Sequence, residues 1–334
     1  RAANPGLRDL ATGQWFQLND NRYYRVVGYN FTNNPEPNIV GLGVLTLEGR
    51  SRKSAAKDPT KTLPDIDSDD NAASRNRVVV TIPILDAPPL AFNRTTVPAL
   101  WISEGNADDG AKFQGDVVEK VKSPCNNSQT KIQQPTTAPN PPYTAQFVGV
   151  FFPNLPPIPT GLPPGQNIPL LNTSQTFPRP GDTPTTRTIN GQSVQVYEYI
   201  VNNIDLDDGE TITITPGQRV VFYVKGNING AIEHDCSSVT EPTVCKSGNL
   251  QIYADNGSGS PNPQICLTGN QILQAFIFAP DYSLGKTGTG AFVGAAWGKN
   301  WGKIPGCVSG NNAVAVTQGV EWTELITNLK PDDS

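Results

Sequence analysis

Residues 276–301, FIFAPDYSLGKTGTGAFVGAAWGKNW, hold the letters closest to a chemical motif, since Gly285-Lys286-Thr287 could close a phosphate-binding loop. That loop needs an earlier glycine, four residues ahead of the Gly-Lys-Ser/Thr, because successive backbone N–H groups must curl round the phosphates. Pro280 holds the position and has no N–H to give. Gly288, Gly290 and Gly294 also miss the dinucleotide pattern, with three residues instead of two between the last pair. The stretch therefore reads as strand and corner, and neither a nucleotide nor an organic cofactor is expected.

Other polar clusters invite the same test. Asp65, Asp67, Asp69 and Asp70 mimic the start of a calcium loop, but Asp70 stands where glycine is required and no Glu closes the loop. Asp205, Asp207, Asp208 and Glu210 fall in a turn before a strand. Both groups read as solvated loops, leaving Asp65, Asp67, Asp69, Asp205, Asp207 and Asp208 as weak calcium candidates. Glu233, His234 and Asp235 beside Cys236 suggest a thiol enzyme. Against that, Cys236 and Cys245 bracket a short polar loop and are expected to be bridged, worth roughly 2–3 kcal/mol, and a bridged sulfur is no nucleophile. No catalytic residue is assigned. Trp297, Trp301 and Trp322 could stack on sugar rings, or simply cover a core.

The chain that must position these residues has 334 of them, 37% hydrophobic and 16% charged, enough to bury a large core. Apolar runs such as 147–152 and 274–279 fall far short of the ~20 residues of a membrane-spanning helix. A net charge of −5 with scattered basic residues argues against nucleic acid. With 31 glycines, 31 prolines and no methionine, the composition is that of a turn-rich β protein with very little helix. The chain opens at Arg1 without an initiator Met or a signal-peptide core, so an upstream segment is expected, and any membrane attachment would lie there.

The runs 22–30, 42–48 and 77–85 are β-branched and aromatic, and read as a three-stranded antiparallel meander with 51–76 as an exposed loop. Residues 133–188 carry QQPTTAPNPP, FPNLPPIPTGLPPGQNIP and FPRPGDTPTT, a composition read as a surface insertion or linker that cannot be interior strand. Beyond it, Gly-Asn recurs at Gly226, Gly248, Gly269 and Gly310 with spacings of 22, 21 and 41 residues, and Gly290 bisects the last gap. These five glycines predict corners of a right-handed parallel β-helix (solenoid) with coils of about 21 residues. Cys245, Cys266 and Cys307 each precede a repeat glycine by three, which places them alike on successive coils. On that register Cys266 and Cys307 lie two coils apart, about twice the ~4.8 Å strand spacing and beyond disulfide reach. The pairing of Cys125, Cys266 and Cys307 stays open. The expected organisation is a strand-rich region, 1–96, followed by a solenoid, 97–334, interrupted by 133–188.

The runs QRVVFYVKGNI, NLQIYA, ICLTGN, QAFIFAPDYSLG and GAFVGAAWGKNW resemble the C-terminal β-solenoid ectodomain of minor-pilin-type pilus-assembly proteins, including cyanobacterial pseudopilins of hormogonium polysaccharide secretion. YYRVVGYNF, GLGVLTLEGRS and ASRNRVVVTIPI are similar to the segment that precedes it there. The resemblance implies an extracellular or cell-surface, non-enzymatic subunit of a type IV pilus-like filament or secretion apparatus. Its partners would be other filament subunits, a surface or polysaccharide. Two alternatives stand beside it, a carbohydrate-active β-helix enzyme acting on acidic polysaccharide and an adhesin unrelated to pili.

Overall fold

A computed structural model describes residues 15–19, 22–36, 39–52, 72–85, 90–104, 112–119, 128–137, 139–147, 152–241, 244–257, 259–302, 304–307 and 313–331. The chain divides into two units, Arg1–Pro88 and Pro89–Ser334. Among the described residues, helix is confined to α1 (Leu90–Asn93) and short 3-10 turns. The protein is mainly β, as its composition requires.

The first unit is a four-stranded antiparallel sheet, β1 (Phe16–Asn19), β2 (Arg22–Glu36), β3 (Ile39–Arg52) and β4 (Ala72–Leu85), in sequential order. The expected meander is present, extended by β1 and by longer strands. Ser51, Arg52 and 72–76, assigned to a loop from the sequence, pair in the β3–β4 ladder instead. The rest of that loop, with Asp65, Asp67 and Asp69, lies outside the described residues. Trp15 and Tyr23 are buried together, and Arg25 lies over the Trp15 ring at 4.7 Å.

The second unit holds a 16-stranded sheet. Its early strands are β5 (Leu100–Ile102), β6 (Phe113–Gln114), β7 (Val117–Glu119) and β8 (Ala145–Phe147). There follow β9 (Asn167–Leu171), β10 (Gln175–Phe177), β11 (Thr185–Ile189), β12 (Gln192–Asp205), β13 (Thr211–Ile214), β14 (Val220–Val224) and β15 (Ile228–Glu233). The last are β16 (Leu250–Ala254), β17 (Gln264–Leu267), β18 (Leu273–Lys286), β19 (Phe292–Trp301) and β20 (Val316–Gln318). Apart from the β11–β12 hairpin, every pairing in this sheet is parallel.

Three ladders result. The first runs β9–β12–β14–β16–β18–β19–β5–β7–β8. The second joins β12, β15, β17, β18 and β19 through Ile204, Ile228, Ile265, Leu284 and Trp301. The third joins β10, β13 and β15, then passes by the His234–Leu273 bridge through β18, β19, β20 and β6. Because β12 and β18 each serve two ladders, the path β12–β14–β16–β18–β17–β15 closes on itself.

Inward side chains of all three ladders form one core, with Tyr199, Phe222, Ile252, Ile277 and Leu100 in the first ladder and Ile204 to Trp301 in the second. The first ladder is also buried on its outer face, where Tyr223, Tyr253, Phe278, Trp297 and Trp101 occupy paired positions. That explains why β14 (VVFYV) reads as a continuous apolar run: a parallel strand covered on both sides has no polar face. Its cover is partly the proline-rich chain. Phe152 meets Trp101 and Phe278 at ring separations of 4.9 and 5.5 Å, and Leu155, Ile158 and Leu162 pack behind it. Val320, Trp322, Leu325 and Leu329 complete the cover from the C-terminal side.

Two sequence readings are corrected here. Residues 133–188 are not an insertion on the second unit. They supply β8, β9, β10 and most of β11, at opposite ends of the first ladder and at the start of the third, with the apolar residues of 152–162 lying across the outer face. Proline is tolerated because extended chain without ladder bonds needs no donor. Nor do the glycines mark a constant coil. Paired positions are separated by 30 residues at Val220–Leu250, 25 at Ile252–Ile277, 19 at Ala275–Gly294 and 17 at Leu284–Trp301. Gly226 follows β14, Gly248 precedes β16, Gly269 follows β17 and Gly290 precedes β19, so they stand at unlike strand ends; Gly310 lies outside the described residues. Gly290 is required for close approach, since a Cβ there would collide with the Gln271 carbonyl.

Trp297 sits between Trp101, Phe276 and Phe278 at 5.1, 5.0 and 5.6 Å, and its indole N–H donates to the Pro98 carbonyl at 3.1 Å. Trp297→Ala is expected to lose about 3–5 kcal/mol of unfolding free energy. Val79→Ser, on an exposed position, should stay within about 0.5 kcal/mol. Urea midpoints followed by far-ultraviolet circular dichroism compare them; equal midpoints would show that the outer aromatic row is not a packed layer.

Candidate functional site

The alternation that sends Ile204, Ile228, Ile265, Leu284 and Trp301 inward on the second ladder sends the residue before each outward. Those residues are Asn203, Asn227, Gln264, Ser283 and Asn300, all half-buried. They form a row of amides and hydroxyls one strand apart. Asn203 Oδ1 accepts from the Asn227 N–H, Asn227 Oδ1 accepts from the Gln264 N–H, and Asn300 Nδ2 donates to Ser283 Oγ, each at 3.0 Å. A second outward pair, Asp205 and Asn229, is joined at 3.1 Å.

Two adjoining hollows open on this row. The larger, about 440 Å³, is lined by Asn203, Asp205, Asn227, Asn229, Gln264 and Cys307 among others. The second, about 330 Å³, includes Gln264, Asp281, Ser283 and Lys299. Gln264 and Pro305 line both, so the turn 304–307 stands between them. The Cys266–Cys307 disulfide ties that turn down, with Cα atoms 6.0 Å apart.

This bond corrects the expectation that Cys266 and Cys307 lie out of reach. The distance argument assumed that both sit on equivalent strands two coils apart. Cys307 instead ends a turn closed by its N–H to the Ile304 carbonyl at 3.0 Å, and it folds back over β17. Beside Cys266, Gly285 has no side chain to obstruct that path. Closing a loop across a separation of 41 residues removes about 4 kcal/mol of chain entropy from the unfolded state. Cys236 and Cys245 are also bonded, with Cα atoms 5.4 Å apart, and Cys125 lies outside the described residues.

The remaining sequence candidates disperse. Asp205 is exposed on β12, and Asp207 and Asp208 lie in an exposed turn in which Asp207 N–H donates to Glu210 Oε2 at 3.1 Å. Among the described residues these aspartates join no group of three converging ligand atoms; His234, Cys236 and Cys245 form the single such group. Trp297 and Trp301 are wholly buried, so neither offers a face to sugar, and Trp322 helps cover the first ladder. Gly285 and Lys286 end strand β18 rather than forming a loop, and Lys286 Nζ donates inward to the Gly269 carbonyl at 3.0 Å.

Buried carboxylates are held by cations or phenols. Glu198 accepts from Arg187 at 2.7 Å and from the Tyr223 hydroxyl at 2.9 Å, while Asp116 pairs with Arg94. At Asp182, burial would raise the pKa, but hydrogen bonds from Arg179 and Tyr199 outweigh it and hold the carboxyl low. At Glu324 burial prevails over Lys246 and the pKa is raised. Tyr199 and Tyr223 are pushed far up by burial and then by Asp182 and Glu198 respectively. These acids complete the packing of buried strands rather than facing a shared cleft.

Residues 185–302, from the start of β11 to just past β19, match a family model described as a domain of unknown function, DUF7305. No curated protein and no solved structure matches the chain.

Lys286 offers a test of the buried strand end. Burial lowers its pKa to about 8 from 10.5. Between those values the unfolded chain binds a proton that the native state does not, so this group makes stability rise with pH across the window. Below about pH 8 the fold bears the cost of charging it. Lys286→Met should therefore be more stable than the parent at pH 7, by up to about 3 kcal/mol, and the gap should close near pH 10.5. Urea midpoints of both proteins at pH 7 and pH 10 test this; a pH-independent difference would refute it.

Proposed function

We propose that this chain is a non-enzymatic structural or adhesive subunit at the cell surface, a right-handed β-solenoid whose working face is the Asn203–Asn300 row and its two hollows. The solenoid reading is supported by the order of pairing: β18 and β19 each pass through all three ladders, as one full coil must. The single observation that carries the function is the row itself. Five amide or hydroxyl side chains recur at the parallel-strand spacing of ~4.8 Å, while the opposite wall is sealed by apolar cover. Such a row presents repeated donors and acceptors to a repeating polymer, and hydroxyl-rich polysaccharide is the chemistry that suits it.

Two disulfides fit an oxidising, extracellular setting. Paired buried acids support a non-catalytic reading over a polysaccharide-cleaving one. A place in a type IV pilus-like filament or secretion apparatus rests on the resemblance of the strand runs.

In affinity electrophoresis through gels containing soluble polysaccharide, the parent protein should be retarded. Asn227→Ala with Gln264→Ala should weaken that retardation at least ten-fold without moving the urea midpoint by more than about 1 kcal/mol. Equal retardation of parent and variant would remove the row from the binding face. Robust release of unsaturated products or new reducing ends from acidic polysaccharide would overturn the non-enzymatic reading.

A further inference from the structure

The group formed by His234, Cys236 and Cys245 lies on the third ladder, apart from the polar row. The His234 ring is fully buried, and its Nδ1 lies against the Gln274 backbone carbonyl. A carbonyl can only accept, so Nδ1 carries the proton and the Nε2 lone pair faces the sulfurs, 3.8 Å from Cys236 Sγ and 3.6 Å from Cys245 Sγ. A disulfide has no proton to donate. The lone pair is thus buried and aimed at two sulfur atoms that cannot satisfy it.

The distances fit a metal site. In a tetrahedral zinc centre with Zn–S of ~2.3 Å and Zn–N of ~2.05 Å, each N···S edge is ~3.6 Å. Both edges are already close to that value. A ligating histidine commonly donates its other N–H to a carbonyl, which orients the ring, and Gln274 supplies that carbonyl here. The Gln274 side chain also accepts from the Cys236 backbone N–H, so one residue fixes two of the three ligands. Burial holds the imidazole below its usual pKa and keeps it neutral, the form that binds metal.

We propose that reduction of the Cys236–Cys245 disulfide converts this group into a His–Cys₂ site for a thiophilic divalent cation, Zn²⁺ by preference, so that the loop after β15 is closed by a disulfide or by a metal according to redox conditions. A dithiol reductant supplies two electrons and two protons: its own thiols join as a disulfide while the Cys236–Cys245 bond breaks into two thiols. Zn²⁺ then displaces both thiol protons into solvent. Two thiolates cancel the charge of the cation, leaving a neutral centre in a buried place. The sulfurs must part to ~3.8 Å, and the fourth position is open to water.

The test is titration of the protein with Co²⁺ before and after reduction by a phosphine. Only the reduced form is expected to show thiolate-to-cobalt charge-transfer bands, at one Co²⁺ per chain, displaced by Zn²⁺. His234→Gln should weaken Co²⁺ binding at least ten-fold and Cys236→Ser should abolish the bands. Cys266→Ser should leave them in place, which separates this pair from the other disulfide. If reduction loosens the fold, Zn²⁺ must restore the far-ultraviolet spectrum and a chelator must remove it again. The proposal is overturned by a reduced protein without bands or metal-driven refolding, or by bands that survive in both His234→Gln and Cys236→Ser.

Discussion

Everything in the second unit depends on the in-register parallel pairing of the first ladder. Parallel strands are covered on both faces, and here each face has its own apolar layer: a closed interior on one side and the Tyr223–Trp101 aromatic row on the other. A row of aromatic rings open to water would be a strong aggregation surface. The sheet therefore needs a lid, and the chain supplies it from two distant segments, 152–162 and 320–329. Proline suits the first because a lid must be extended and apolar without competing for ladder hydrogen bonds.

That need also explains the threading. β5, β7 and β8 precede β12 in sequence, yet they lie beyond β19 in the ladder. The chain between β8 and β9 must return from one end of the ladder to the other, and its apolar residues 152–162 cover the aromatic row. A segment that looks like a linker by composition joins the ends of the sheet and covers it at once.

The strand content, the N-terminal meander and the Cys236–Cys245 bond were legible because each rests on local pattern: β-branched runs, turn residues, two cysteines bracketing one loop. The register was not. The glycine rhythm of 21 residues is real in the sequence, but paired strands are offset by 17 to 30 residues, since excursions such as 236–247 add length without moving the strands apart. The polar row left a fainter mark, five dipeptides of polar then apolar residue, Asn203-Ile204, Asn227-Ile228, Gln264-Ile265, Ser283-Leu284 and Asn300-Trp301. Their unequal spacings hide them from any search for a fixed period, and alternation shows only once the partners are known. Trp297 and Trp301 misled for a related reason: a tryptophan next to glycines looks exposed until the strands above and below it are in place.

Unequal coils have a structural consequence for the second ladder. A stack of identical turns would present a flat polar wall with no hollows. Here the chain after β19 does not continue directly into another strand of that ladder. It turns at 304–307 and is bound back to Cys266, raising a ridge across the wall at Pro305. The disulfide is what permits this, because a short turn with little apolar surface has few other contacts to hold it against its entropy. The wall's chemistry thus comes from the regular alternation of β12, β15, β17, β18 and β19, and its relief comes from the irregularity that one covalent bond preserves. A polymer lying along the row would meet uniform hydrogen-bonding groups but only two places deep enough to enclose it, and the ridge between them fixes where along the row it can sit.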